Sequence, residues 1–220
     1  MAGSAPWVLS QVQVVAESAA TVAFALSGVI EAARKRLDAV GVCVVGGLAA
    51  FGGGTVRDVL LDRRPLFWIE HAGWLWALLG LCVAAMLFMR ARHFEPTERA
   101  MLGPDAVGLG LFSASGTQIA LASGVPAIVA VLLGMVTAVF GGVLRDVVCN
   151  EIPRAFNDHR PYALCAFVGG WVLVALQALA LADWVALLAA ALVAGGLRVA
   201  ALAFDWRLPA WQAEDTRGAP

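Results

Sequence analysis

Two short stretches place ionisable side chains where a membrane would resist them. Gly52-Gly53-Gly54-Thr55-Val56-Arg57-Asp58 lies late in an apolar run that begins near Ala39, and Gly141-Gly142-Val143-Leu144-Arg145-Asp146 lies inside another. Glycines remove side-chain restraint and weaken a helix, and an adjacent cation and anion are costly in a segment otherwise fit for lipid. A helix broken at those glycines frees backbone N–H and C=O groups, which is tolerable at membrane depth only where protein or a water-filled cavity receives them. Freed dipoles, together with Arg57 and Arg145, would then be available to an ion or a polar solute. The competing reading is that the glycines let neighbouring helices approach closely and that each Arg-Asp pair is a structural clamp or snorkels to the interface. Two copies, both inside apolar runs, favour the pathway.

The copies are part of a longer duplication. Gly53 maps to Gly141, a separation of 88, and the same offset relates Gly54 to Gly142, Arg57 to Arg145 and Asp58 to Asp146. It extends without a gap from Phe24/Phe112, Ser27/Ser115 and Gly28/Gly116 through Gly46/Gly134 to Val59/Val147 and Pro65/Pro153. An internal repeat of this kind sets the architecture before any single residue does.

Composition fixes the solvent. Of 220 residues 61% are hydrophobic and 14% charged, with mean hydropathy +0.82, against roughly 45–50% and 25% in soluble domains. The chain therefore reads as an all-α integral membrane protein, one transmembrane domain over 1–220. No basic run or aromatic-basic motif argues for nucleic acid. The cysteines Cys43, Cys82, Cys149 and Cys165 are scattered singly, without CxxC spacing or a histidine cluster, so they read as small buried hydrophobes, with no metal or cofactor implied. GxSxG, HExxH and P-loop patterns are absent, which argues against an enzyme.

About 20 apolar residues span a bilayer, which predicts seven helices at roughly 14–33, 39–62, 72–90, 103–122, 126–150, 161–181 and 184–204, the second and fifth broken at their glycines. Repeat one covers about 14–90, repeat two about 102–181, and helix seven, about 184–204, lies outside the duplication. The prolines Pro65 and Pro153 are expected to end the second half-helices. No Lys or Arg precedes Arg34, so the first run reads as a retained helix rather than a cleaved signal. The polar tail from Asp205 reads as frayed.

Three helices per repeat, an odd number, require the second copy to enter the membrane inverted, as in many transporters. Lys and Arg concentrate in the first, third and fifth connections and the tail, with only Arg63 and Arg64 opposite, which places the N-terminus outside and the C-terminus in the cytoplasm of an inner (plasma) membrane protein. Glu17 and Glu31 fall near the ends of helix one, where interfacial solvation is the default. Ser27, Ser115, Thr117 and Gln118 are candidate pathway residues or interhelical hydrogen bonders. His71, His93 and His159 fall in connections, and most of the tryptophans near predicted helix ends, as an aromatic belt would.

Seven helices, two three-helix repeats and the paired motifs at 52–58 and 141–146 resemble the prokaryotic members of the TRIC family, the trimeric intracellular cation channels. The resemblance covers about residues 14 to 204. It implies a homotrimer in membrane lipid with one pore per protomer, lined by helices one, two, four and five, and passage of monovalent cations, K⁺ and Na⁺. The residues it points to are Gly52, Gly53, Gly54, Arg57, Asp58, Gly141, Gly142, Arg145 and Asp146. Phe140 stands where the second copy would need a third glycine, and the basic lipid-binding motif of the animal members has no counterpart here. Related bacterial sequences also carry the label of glycine transporters, and inverted repeats with broken helices suit an alternating-access carrier as well as a channel.

Overall fold

The computed structural model describes residues 6–92 and 97–209, with side chains over 11–88 and 97–209. Most of the expected polar tail, including Trp211 and Arg217, and the connection residue His93 lie outside the described residues. Among the described residues the chain forms helices and connections without strands: α1 Pro6–Arg34, α2 Ala39–Leu60, α3 Phe67–Glu70, α4 Gly73–Arg92, α5 Glu98–Ala122, α6 Ala127–Val148, α7 Arg154–Asn157, α8 Ala163–Ala178 and α9 Asp183–Ala203. The seven long helices match the seven apolar runs, and α3 and α7 are single turns in equivalent connections.

Among the described residues four helices are long and apolar enough to cross a membrane: α1 over Gln11–Arg34, α2, α6 and α9. Shorter apolar stretches cover Gly73–Phe88 of α4 and Ala163–Ala178 of α8. Helix α5 is long enough, but Glu98, Arg99, Asp105 and its Ser113–Gln118 run dilute its hydropathy because it is the most enclosed helix, packed against α1, α6, α8 and α9.

The expected helix breaks are absent. Helix α2 runs unbroken through Gly52, Gly53 and Gly54, and α6 through Gly141 and Gly142. Breaking a helix where water is scarce costs several kcal/mol for each backbone group left unpaired, whereas a helical glycine costs only about 1 kcal/mol relative to alanine. Close packing then recovers that smaller cost. A Cβ on Gly53 would fall 1.9 Å from the Thr137 carbonyl oxygen, and one on Gly141 would fall 2.3 Å from that of Ala49. Ala49 and Thr137 are themselves 88 apart, so the two contacts exchange under the duplication, as contacts across a two-fold axis must.

The helices end instead just after the Arg-Asp pairs, earlier than Pro65 and Pro153. The N–H of Arg63 reaches the Asp58 carbonyl (2.8 Å) and that of Asp62 reaches Val59 (3.2 Å); Glu151 reaches Asp146 (2.9 Å) and Asn150 reaches Val147 (3.0 Å). Asp62 and Asn150 take positive φ, 51° and 55°, which completes the same Schellman cap twice. The prolines come later: Pro153 caps α7, and Pro65 precedes α3. Arg57 and Arg145 thus occupy the last turn of their helices, where the negative end of the helix dipole favours a cation.

One end of the bundle gathers most of the basic connections. Lys35 pairs with Glu151, Arg154 lies 3.5 Å from Glu31 and 3.7 Å from Glu98, and Arg160 lies 2.7 Å from Asp205. This joins the connections after α1 and α6, the start of α5 and the segment after α9 at a single end.

Candidate ion pathway

Each arginine is held between two carboxylates, one from its own helix and one from the partner helix of its repeat. Arg57 Nε donates to Asp58 Oδ1 (2.9 Å) and Nη1 to Glu17 Oε1 of α1 (2.5 Å). Arg145 Nε donates to Asp146 Oδ1 (2.8 Å) and Nη1 to Asp105 Oδ1 of α5 (2.7 Å). Glu17 and Asp105 are again 88 apart, so the duplication carries the whole triad and not only the Arg-Asp pair. Arg63 Nη1 also lies 3.5 Å from Asp58 Oδ1, so two guanidinium groups face two carboxylates in the repeat-one cluster, whereas Arg145 alone faces Asp105 and Asp146 in the other.

The clusters lie near opposite ends of the bundle. Asp105 and Arg145 sit towards the basic end, and Glu17 and Arg57 towards the other, because α1 and α5 run in opposite directions. All four Arg and Asp members of the two motifs are buried. Burial of this kind is tolerated only with complete pairing, and removing one partner of a buried pair costs about 3–5 kcal/mol.

The two sites are not identical. Arg145 also donates to the Ser27 hydroxyl, which itself lies 3.4 Å from Asp105 Oδ1, and Asp146 Oδ2 accepts from the backbone N–H of Arg154 (3.0 Å). Beneath this cluster lies Arg198 of α9, 1% exposed, its guanidinium 4.7 Å above the Tyr162 ring and its Nη2 3.3 Å from Asp158 Oδ2. A cavity of about 10 Å³, room for about one water, adjoins Asp105, Arg145, Tyr162 and Arg198. The Glu17 cluster is more open: the Glu17 side chain is 19% exposed against 4% for Asp105. It borders a cavity of about 80 Å³ lined by Ser18, Thr21, Phe67, His71 and Trp74.

Of the predicted residues, Arg57, Asp58, Arg145, Asp146 and Ser27 come together in these clusters. Gly53 and Gly141 form the crossing of α2 with α6, and Gly52 packs beside Leu144. Gly54 faces Phe67, and Gly142 faces the Tyr162 hydroxyl, so both border the clusters. Thr117 does not take part: its hydroxyl donates back to the Ser113 carbonyl (2.8 Å) and fills the space at Gly134. Ser115 Oγ and Gln118 Oε1 are buried with no hydrogen-bond partner among the described residues. Glu17, expected to be solvated at the interface, is instead Arg57's carboxylate partner, and Asp105 was not singled out. The offset of 88 joining two acidic residues in α1 and α5 was the available signal. Arg198 lies outside the duplication, whereas Tyr162 falls at the position that Trp74 holds in repeat one. Cys43, Cys82, Cys149 and Cys165 are free thiols, and no metal-binding group of histidine, cysteine and carboxylate occurs among the described residues.

The family model described as Glycine transporter matches residues 14–90 and 103–178, the two repeats in succession. The chain belongs to this family. Its relatives include a UPF0126 membrane protein of Vibrio cholerae, 34% identical over 192 residues, 86% of this chain and 78% of the relative. The UPF0126 inner membrane protein YadS of Escherichia coli K12 is 36% identical over 153 residues, 69% of this chain and 72% of the relative. Among solved structures, the TRIC trimeric intracellular cation channel orthologue from Rhodobacter sphaeroides superposes with TM-score 0.82 at 34% identity, over 89% of this chain and 99% of that one. A second TRIC cation channel structure gives TM-score 0.81 at 33% identity over 92% and 98%. The resemblance to prokaryotic TRIC proteins drawn from the paired motifs therefore holds in sequence and in fold, and these structural relatives are channels rather than enzymes.

Proposed function

We propose that the protein is a passive channel for monovalent cations, K⁺ and Na⁺, with one pore in each protomer of a homotrimer. The observation that carries this reading is the pairing of the two buried arginines. Arginines beside a cation path would repel the ion if they stood alone, but Arg57 is offset by Glu17 and Asp58 and Arg145 by Asp105 and Asp146, so neither stands as an uncompensated cation. The solved relatives are described as cation channels, and the R. sphaeroides one as trimeric, which supports the same assignment here.

The path runs between α1, α2, α5 and α6, from the Glu17 cluster to the Asp105 cluster, past the contacts of Gly53 with Thr137 and Gly141 with Ala49. Those contacts close the middle, so opening requires α2 and α6 to slide apart there, while the arginines plug the two ends. A guanidinium crossing the full field feels about 2.3 kcal/mol per 100 mV, enough to make movement of Arg57 or Arg145 voltage-sensitive. In this reading all seven long helices cross the inner membrane, in one transmembrane domain over 1–220. The basic end is cytoplasmic, placing the N-terminus and the Glu17 cluster outside; membrane lipid surrounds the trimer.

The description of the matching family favours a second reading, a carrier for a small zwitterion such as glycine. Its substrate carboxylate would pair with Arg57 or Arg145 and its ammonium with Glu17 or Asp105. Liposomes holding the purified protein separate the two. A channel lets K⁺ leak down its gradient without saturation and does not concentrate glycine; saturable uptake of labelled glycine with no K⁺ leak would establish the carrier.

A further inference from the structure

Helix α9 lies outside the duplication, yet it brings a buried arginine, Arg198, to the repeat-two end. Its pairing there is partial. Nη2 lies 3.3 Å from Asp158 Oδ2, Nη1 lies 3.4 Å from the Pro161 carbonyl oxygen and the guanidinium covers the Tyr162 ring, but Nε is buried without a hydrogen-bond partner among the described residues. The Tyr162 hydroxyl is in the same state, buried and unpartnered. A buried donor left unsatisfied costs about 1–3 kcal/mol. Two such donors beside one cavity point to a species that accepts from both.

The walls of that cavity narrow the choice. It holds about 10 Å³ and borders Arg198 and Tyr162 as well as Asp105, Arg145 and Asp146. Around Gly142 three of these residues close on one point, where an added Cβ would lie 3.3 Å from Tyr162 Oη, 3.6 Å from Arg145 Nη2 and 3.8 Å from Asp105 Oδ1. The two carboxylates disfavour an anion, and Arg145, Arg154 and Arg198 on the same wall disfavour a cation. A single water suits the volume and the partners, with lone pairs for the two donors and hydrogens for Asp105.

Repeat one has no such link. Trp74 stands at the position of Tyr162 and borders the cavity beside Glu17, so an aromatic residue adjoins the acidic partner in both repeats, but the indole carries no hydroxyl. No residue of α9 borders that cavity.

We propose that Arg198 and Tyr162 are positioning residues of the ion pathway. One buried water accepts hydrogen bonds from Arg198 Nε and the Tyr162 hydroxyl and donates to Asp105, which holds Asp105 against Arg145 and locks the repeat-two end. This role rests on the channel reading, in which Arg145 must yield before an ion passes. Glu17 has no such restraint, so the repeat-two end sets how often the pore opens.

Single-channel recording of the purified full chain with K⁺ on both sides tests the lock. Tyr162→Phe removes only a hydroxyl and is expected to raise the fraction of time each channel is open several-fold. Arg198→Gln should do the same and add little in the Tyr162→Phe background, because both act through one water. A purely structural role predicts fewer active channels with the parent's open fraction. Where Arg198→Gln does not fold, Tyr162→Phe carries the test. A crystal structure of the parent protein is expected to show one ordered water within hydrogen-bond distance of Tyr162 Oη, Arg198 Nε and the Asp105 carboxylate. No water there, or an open fraction unchanged in Tyr162→Phe, overturns the lock. A parent that carries no K⁺ current overturns the channel reading and the pathway role with it, whereas current in the parent with Tyr162→Phe unchanged overturns the lock alone.

Discussion

Phe24 and Phe112 stack with their ring centroids 5.6 Å apart and their planes 16° apart. They are also each other's counterparts, 88 positions apart, so a contact between them straddles the axis relating the two repeats. Both are buried, on α1 and α5, Phe24 between Glu17 and Ser27 along its helix and Phe112 between Asp105 and Ser115 along its own. The stack therefore joins the two halves at their common centre, and truncating either ring should cost about the same. Phe24→Ala and Phe112→Ala are each expected to lower stability by about 3–5 kcal/mol, read as similar falls in the thermal midpoint of the detergent-solubilised protein. A large effect at one position and none at the other would show that the halves do not share this centre.

Gly53→Ala and Gly141→Ala are expected to prevent correct folding or to lower the thermal midpoint sharply. Each new methyl would fall within 2.3 Å of a carbonyl oxygen on the opposite helix, and backbone cannot yield as a flexible side chain can. Gly80→Ala and Gly196→Ala, which meet nothing within 4 Å, serve as controls and should be neutral or gain up to about 1 kcal/mol in helix propensity. Size-exclusion profiles and thermal midpoints of the four variants decide the matter, and tolerance of Gly53→Ala would contradict the packing described for α2 and α6.

Asp105→Asn should be more damaging than Glu17→Gln. Asp105 is sealed around Arg145, so its neutralisation leaves a buried guanidinium short of a partner, at a cost of about 3–5 kcal/mol. Glu17 is partly exposed, and water can take its place beside Arg57. Thermal midpoints in detergent should therefore rank parent, Glu17→Gln, Asp105→Asn in descending order; the reverse order would contradict the difference in enclosure.

The basic end should respond to acid. The Lys35 hydrogen bond holds the Glu151 carboxylate below its ordinary range, and Arg160, followed by Arg207, does the same for Asp205. A carboxylate with a depressed folded-state pKa contributes stability that is fully present above its ordinary pKa and is lost as pH falls through the depressed value. The thermal midpoint is thus expected to fall on acidification below the usual carboxylate range. The double variant Glu151→Gln, Asp205→Asn should show a shallower fall, and an unchanged slope would remove these pairs from the account.

Much of this was legible in sequence because the duplication doubles every signal. The offset joining Arg57 to Arg145 and Gly53 to Gly141 pointed to the Arg-Asp pairs of both clusters, and hydropathy marked the apolar runs in which the long helices lie. The state of the glycines was not legible. A glycine run weakens a helix and also permits close approach, and which effect prevails depends on whether a partner helix lies against it; Thr137 and Ala49 supply that partner here. Glu17 and Asp105 were missed because carboxylates near the ends of apolar helices are normally solvated, and only the fold brings Arg57 and Arg145 to them. Arg198 has no repeated counterpart, and a single arginine in a terminal helix carries no sign of what it packs against.

The central claim is passive cation conduction, and planar-bilayer recording of the purified protein across a KCl gradient tests it most directly. The account predicts discrete unitary currents that reverse near the K⁺ equilibrium potential, with Arg57→Ala changing the conductance or its voltage dependence. A silent bilayer, with the same preparation accumulating labelled glycine in liposomes, would contradict it and make the two arginine clusters a carrier's substrate site.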